Sequence, residues 1–232
     1  MSLTRTGNDA MSERVLEVRG LSKRFPGVIA LDAVSFDLMA GEVHGLCGEN
    51  GAGKSTMLDV VTGKIRPDTG SVIFKETTHL DRMQQEEIAN AGIGRKFQTP
   101  TIYENLTVRD NLELSAKQDK TVKSMLFGGM SGSVGGKVNE VLDVIGLEDK
   151  QYWRAGLLAH GEKQWLEIGM GVVQDPDLLL VDEPVAGMSE SETENTAILL
   201  KRIAEERSVL VIEHDMNFVR EIAKRVTVLH EG

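Results

Sequence analysis

The chain has 232 residues, enough for one large α/β domain with a substantial core. Its composition, 41% hydrophobic and 27% charged, is that of an ordinary globular protein, and no run approaches eighteen consecutive apolar residues. The net charge of −10 excludes a sequence-independent grip on nucleic acid, which needs a basic surface.

Residues 1–13 lack the apolar core of a signal peptide and are expected to lie outside the folded domain as a disordered or tag-derived segment. Short β-branched runs then alternate with helical patterns, which predicts a layered α/β fold. Residues 15–18 (VLEV) and 34–38 (VSFDL) read as early strands, and 42–47 (EVHGLC) as a buried one. The single cysteine, Cys47, reads as a small buried residue; it excludes an internal disulfide and suits a reducing cytosol.

Directly after that strand comes GENGAGKST, residues 48–56, which fits G-x-x-x-x-G-K-[ST]. Glycines let such a loop curl so that successive N–H groups point inward at phosphate oxygens. Gly48, Asn50, Gly51, Ala52, Gly53, Lys54, Ser55 and Thr56 are therefore the candidate nucleotide-binding set. Lys54 can reach the β and γ phosphates, Ser55 can hold Mg²⁺, and the following helix adds its positive end.

Strands are next expected at 71–74 (SVIF) and 94–97 (GRKF). The middle of the chain changes character. Thr107 to Asp110 resembles a capped helix start, and Val138, Val141, Leu142 and Ile145 follow a helical period closed by Gly146. Between them the glycine-rich stretch 124–136 reads as a mobile loop. Residues 101–157 thus form a helical insert in a frame made of 14–100 and 158–232.

From Trp165 onward a second amphipathic helix is expected, with Trp165 and Leu166 packing it down. Its start, Ala159-His160-Gly161, has no Ser, Thr, Asp or Asn to accept the free N–H groups, although such a cap is worth about 1 kcal/mol. Two further buried strands, 178–181 (LLLV) and 209–212 (VLVI), suit the interior of a parallel sheet, and 226–229 (VTVL) begins another. The first ends in Asp182-Glu183, where open α/β sheets bind ligands. Asp182 is the expected Mg²⁺ ligand and Glu183 the base that orients an attacking water. The second ends near His214, which could donate to a γ-phosphate. The acid-rich run at 189–194 reads as a capping box, Ser189 with Glu192, rather than a metal site.

With these pieces in order, the chain resembles an ATP-binding cassette (ABC) ATPase. The likeness covers GENGAGKST, Gln98 of RKFQTP, LAHGEKQ, LLLVDEP and VIEHD in the family's order. It implies an α/β P-loop NTPase fold with a mixed or parallel core sheet, an antiparallel β subdomain and a helical subdomain, plus a further strand and helix past Leu229. Phe25 would stack on adenine, and Gln98 would touch the metal. Ala159, His160, Gly161 and Glu162 would form the signature that caps ATP held by a second ATPase subunit, identical or not. ATP and Mg²⁺ are the implied cofactors. Permease subunits and, indirectly, a solute-binding protein are the implied partners, with the chain peripheral on the cytoplasmic face of the membrane.

The departures are specific. The signature's usual serine is Ala159, one glycine is His160, and Val185-Ala186-Gly187-Met188 replaces Ser-Ala-Leu-Asp. EPVAGM, HGEKQWLEIGM and IGRKFQ are similar to importer ATPases for branched-chain amino acids, and most similar to those for urea or short-chain amides. Two other readings are a soluble ABC ATPase of cofactor assembly and a nucleotide-switched module with little hydrolysis.

Overall fold

A computed structural model describes residues 13–96, 102–116 and 132–230. Its centre is a five-stranded sheet, β6 (Ile93–Lys96), β7 (Leu178–Asp182), β8 (Ser208–Ile212), β3 (Val43–Gly48) and β9 (Arg225–Leu229), in that order. Every pairing in it is parallel, so of the two expected arrangements the core is the parallel one.

Why these runs form this sheet is visible in where their side chains go. Leu178 and Leu180 enter one apolar cluster, while Leu179 and Val181 enter the other. Leu210 and Ile212 are divided in the same way from Val209 and Val211. Alternate residues of a strand face opposite sides, so a strand buried on both faces must be apolar throughout.

One cluster packs the sheet against α1 (Lys54–Val61) and a second, antiparallel sheet of order β2-β1-β4-β5. Its strands are β1 (Arg14–Phe25), β2 (Val28–Met39), β4 (Thr69–Phe74) and β5 (Thr78–His79). β1 and β2 run well beyond the short segments their apolar pattern marks, because register shifts let the ladder continue to a turn at Pro26-Gly27. The short β5 and helix α2 (Gln85–Asn90) have no counterpart in the pattern-based reading.

The other cluster joins α3 (Val108–Ser115), α4 (Gly132–Ile145), α5 (His160–Val172), α6 (Glu190–Ala204) and α7 (Met216–Ile222). Thr107 caps α3 as expected, its hydroxyl accepting from Asp110 N. The glycine-rich segment is corrected in part: residues 132–136 belong to α4 rather than to a loop. Glycine costs about 1 kcal/mol in a helix, but Val134, Val138, Val141 and Ile145 dock along one stripe, and burial outweighs propensity. Residues 124–131 lie outside the described region.

A buried polar cluster pins the amino-terminal end of β3. Arg225 donates to Glu42 Oε1 at 2.6 Å and to Asp37 Oδ1 at 2.6 Å, and His44 Nε2 lies 2.9 Å from Thr227 Oγ1. Burial lowers the His44 pKa, against the pull of Glu42. Burial alone would raise the Glu42 carboxyl, but hydrogen bonds from Arg225 and Met39 N–H outweigh it and hold it below the usual range. Both groups have folded pKa values below their unfolded ones. The unfolded chain therefore takes up protons first as pH falls, and stability drops with acid. The loss should begin as pH falls below about 6.5, the ordinary histidine value, and steepen below about 4.5, the ordinary glutamate value. Urea midpoints measured from pH 7.5 to 4 should show both steps, and His44→Asn should remove the upper one at some cost in overall stability.

Candidate functional site

The carboxyl ends of β3, β7 and β8 converge on one cavity of about 350 Å³. It is lined by Phe25, Asn50, Gly51, Gly53, Lys54, Ser55, Thr56, Asp182 and Glu183, together with Val28, Ala30 and Ile212. Nine candidate residues from three distant parts of the chain thus share one surface.

The loop after β3 is shaped by backbone geometry. Gly51 and Gly53 take φ of 88° and 90°, the left-handed region that other residues enter only with strain. A Cβ on Gly53 would sit 2.0 Å from Ala30 O, so only glycine lets the loop lie against β2 there. The Lys54 ammonium rests on Gly48 O at 2.6 Å and Glu49 O at 2.9 Å, which folds the side chain back over the loop. Gly48 and Ala52 serve as framework: Gly48 supplies that carbonyl, and Ala52 is buried with its N–H on Glu49 O. Curled N–H groups, a lysine and the start of α1 form an anion site with the chemistry of a phosphate cradle.

Asp182 and Glu183 meet it from β7. Asp182 is 2% exposed on the cavity floor, and its Oδ2 lies 3.9 Å from the Arg95 guanidinium, which also donates to Asp59 Oδ1 at 2.6 Å. Carboxylate and hydroxyl oxygens suit a hard divalent ion. Asp182 and Ser55 line the same cavity, so the donor set fits Mg²⁺. Gln98, the third expected metal contact, lies outside the described residues. Glu183 has φ of +47°, a conformation that costs a non-glycine residue about 1–3 kcal/mol and persists only where neighbours hold it. Its N–H donates to Ile212 O at 2.9 Å.

Phe25 stands 41% exposed at the cavity mouth, with the Lys23 ammonium 5.7 Å from its ring centre. A flat aromatic face in that position can stack on a base. His214 sits at the end of β8 beside the cavity but does not line it; its side chain is 62% exposed.

The signature residues are elsewhere, at the start of α5. Ala159 is the cap position and has no side-chain acceptor, as its sequence predicts. The helix end is nevertheless not bare. Glu162 Oε2 accepts from Ala159 N at 3.1 Å, and Glu192 Oε1 accepts from Gly161 N at 3.1 Å. Glu192 also closes the expected capping box, accepting from Ser189 N at 2.9 Å. Hydrogen bonds from Ser189, and then from Gly161 N–H, hold its carboxyl below the ordinary range. His160 Nε2 lies 3.1 Å from Ala186 O, tying the signature to the segment after Glu183. Trp165 donates to Thr196 Oγ1 at 2.9 Å, so it braces α5 against α6.

Pattern reading missed two residues. Arg95 sits inside the quoted IGRKFQ stretch, but its approach to Asp182 arises only when β6 pairs with β7. Glu213, inside VIEHD, is 1% exposed and accepts backbone N–H groups from Val185 and His214.

The chain is similar to known proteins in both sequence and fold. The ABC transporter family model matches residues 31–186. The high-affinity branched-chain amino acid transport ATP-binding protein LivG of Escherichia coli K12 is 34% identical over 233 residues, spanning 96% of this chain and 90% of LivG. The ribose import ATP-binding protein RbsA 1 of Rubrobacter xylanophilus is 36% identical over 220 residues, but the chain spans only 43% of its length. Among solved structures, the ADP conformation of MJ1267, an ATP-binding cassette of an ABC transporter, superposes with a TM-score of 0.81 at 29% identity, covering 94% of this chain and 88% of that one.

The two left-handed glycines separate the steric from the conformational demand. Gly53→Ala is expected to abolish detectable ATP binding. Gly51→Ala, with open space around its Cβ, should cost about 1–2 kcal/mol of strain and retain binding. Titration with a fluorescent ATP analogue, alongside thermal melting of each variant, checks the contrast.

Proposed function

The chain belongs to the ABC transporter family and is an ATPase of it, and we propose that it energises import of branched-chain amino acids, urea or short-chain amides. One observation carries the hydrolytic part of this reading: Glu183, held at a strained backbone conformation, shares a cavity with the Lys54 loop and Asp182. A triphosphate threaded along the loop meets Lys54 at its β and γ groups. Glu183 then accepts a proton from, or orients, the water that attacks the γ-phosphorus. Ser55 and Asp182 would hold Mg²⁺, which would supply positive charge against the phosphates. Phe25 receives the adenine at the mouth. His214, two residues past the cavity-lining Ile212, would donate to the γ-phosphate from its exposed ring.

The solute class rests on LivG, which aligns over nearly its whole length, whereas the sugar importer aligns over less than half. The local sequences EPVAGM and HGEKQWLEIGM favour the amino acid and amide group. The described residues contain no helix long and apolar enough to cross a membrane, so permease subunits are the partners this reading requires.

We further propose head-to-tail pairing with a second ATPase, in which the start of α5 covers the γ-phosphate in the partner's cavity. This chain's contribution to that closure is weak. Ala159 offers no hydroxyl, and Gly161 N–H must leave the Glu192 carboxylate before it can meet a phosphate. A charge-assisted hydrogen bond is worth about 1.5–3 kcal/mol, so each feature subtracts appreciably from dimer affinity. The complementary site, around this chain's own loop, is then best completed by a different subunit with a full signature.

ATP hydrolysis by the purified chain should be slow and rise more steeply than linearly with protein concentration, and Glu183→Gln should remove it. A rate strictly proportional to concentration would contradict action as a dimer. In the Glu183→Gln background, Ala159→Ser should tighten the ATP-dependent dimer roughly tenfold or more in analytical ultracentrifugation. Unchanged affinity would sink the weak-signature reading.

A further inference from the structure

We infer that Glu213 is a positioning residue for ATP hydrolysis: its buried carboxylate clamps the turn after Glu183 and the base of His214 to one point at the end of β8. The sequence places an acid between an apolar strand and His214. The structure buries it to 1% exposure; it is one of nine buried polar or charged residues among the described residues.

Its two oxygens face different segments. Oε1 accepts from Val185 N at 3.3 Å, two residues past the catalytic acid. Oε2 accepts from His214 N at 2.9 Å and Asp215 N at 3.4 Å, and lies 3.5 Å from His214 Nδ1. A carboxylate spread over several N–H donors holds its partners more firmly than single neutral bonds do.

What makes the clamp functional is the conformation it restrains. Glu183 is held at φ +47°, which the chain would relax if free. Its own N–H is anchored to Ile212 O on β8, and Ala186 N returns to Glu183 O at 3.4 Å. Glu213, the residue that follows the end of β8, fixes Val185 between those two points. The turn is thus tied to β8 on both sides of the strained residue. Without the carboxylate the second tie is lost, and part-buried N–H groups are left without their acceptor. The Glu183 side chain then drifts from its place over the cavity. The phosphate loop, which binds ATP through β3 and α1, is untouched. Misplacement of a catalytic group by about 1 Å can cost on the order of a hundredfold in rate.

The test is steady-state ATP hydrolysis by the full chain with Glu213→Ala and Glu213→Gln, alongside ATP affinity and melting temperature. Glu213→Ala is expected to lower kcat about ten- to hundredfold with KM and ATP affinity unchanged. Glu213→Gln, which keeps the size and one acceptor oxygen, should fold like the parent and give an intermediate kcat. Because Glu213 acts through Glu183, the double variant Glu183→Gln/Glu213→Ala should be no slower than Glu183→Gln alone in single turnover.

Wild-type kcat in both single variants would overturn the inference. So would a fall in kcat matched by weaker ATP binding and a lower melting temperature, since that is the mark of a merely structural group. Additive losses in the double variant would also overturn it, because Glu213 would then act without Glu183. The inference rests on hydrolysis at this cavity. A parent chain whose hydrolysis is insensitive to Glu183→Gln would overturn that reading first, and is distinguishable from every outcome above.

Discussion

Everything functional in this molecule depends on three parallel strands that must be apolar along their length and polar only at their ends. β7, β8 and β3 are covered on both faces, so a charged side chain along them would be buried without a partner. The first positions at which acids and phosphate-binding groups become tolerable are the strand ends, and parallel pairing puts those ends on one edge. Asp182 faces Ile212 in register across β7 and β8, and β3 delivers its loop from the other side of β8. The cavity follows from topology before any side chain is chosen.

That constraint explains how much could be read from sequence. The apolar runs, the loop glycines and the acid pair are local signals with fixed spacing, and the structure assembles them as that spacing implies. Segments whose conformation is decided from afar were less legible. Residues 132–136 look like a loop because glycine is a poor helix former, yet Val134 and Val138 find a core built by α5 and α6. β1 and β2 outrun their apolar pattern because pairing, not burial, extends them. Phe25 has no local feature separating it from a core phenylalanine; only the family resemblance marks it, and the structure leaves it exposed at the cavity mouth.

The start of α5 shows the same limit at finer grain. Inspection of Ala159, His160 and Gly161 finds no cap, and locally that is correct. The acceptor for Gly161 N–H comes from Glu192, thirty-one residues away on α6, which already serves its own helix through Ser189. One carboxylate thereby satisfies two helix starts, and its charge suits the positive ends of both. The same arrangement places an anion where the proposed dimer needs a phosphate. The contact that stabilises the isolated subunit therefore opposes the assembled one, and closure becomes an exchange of acceptors rather than the filling of a bare end.

Glu183 and Glu213 are the same residue type at the ends of adjacent strands, and their environments give them opposite tasks. Glu183 lines the cavity and is held in a strained turn. Glu213 is sealed from solvent and spends both oxygens on backbone N–H groups. A residue so committed is fixed in place by its bonds, whereas an acid free to take a proton must be left with few of them. Rigidity in one is what permits freedom in the other: the strain at Glu183 persists because the neighbouring strand supplies fixed acceptors on both sides of it. On the mechanism proposed above, catalytic capacity at this edge is a property of the β7–β8 pair, and a strand end carrying Asp182-Glu183 without its buried neighbour would hold the right groups in the wrong place.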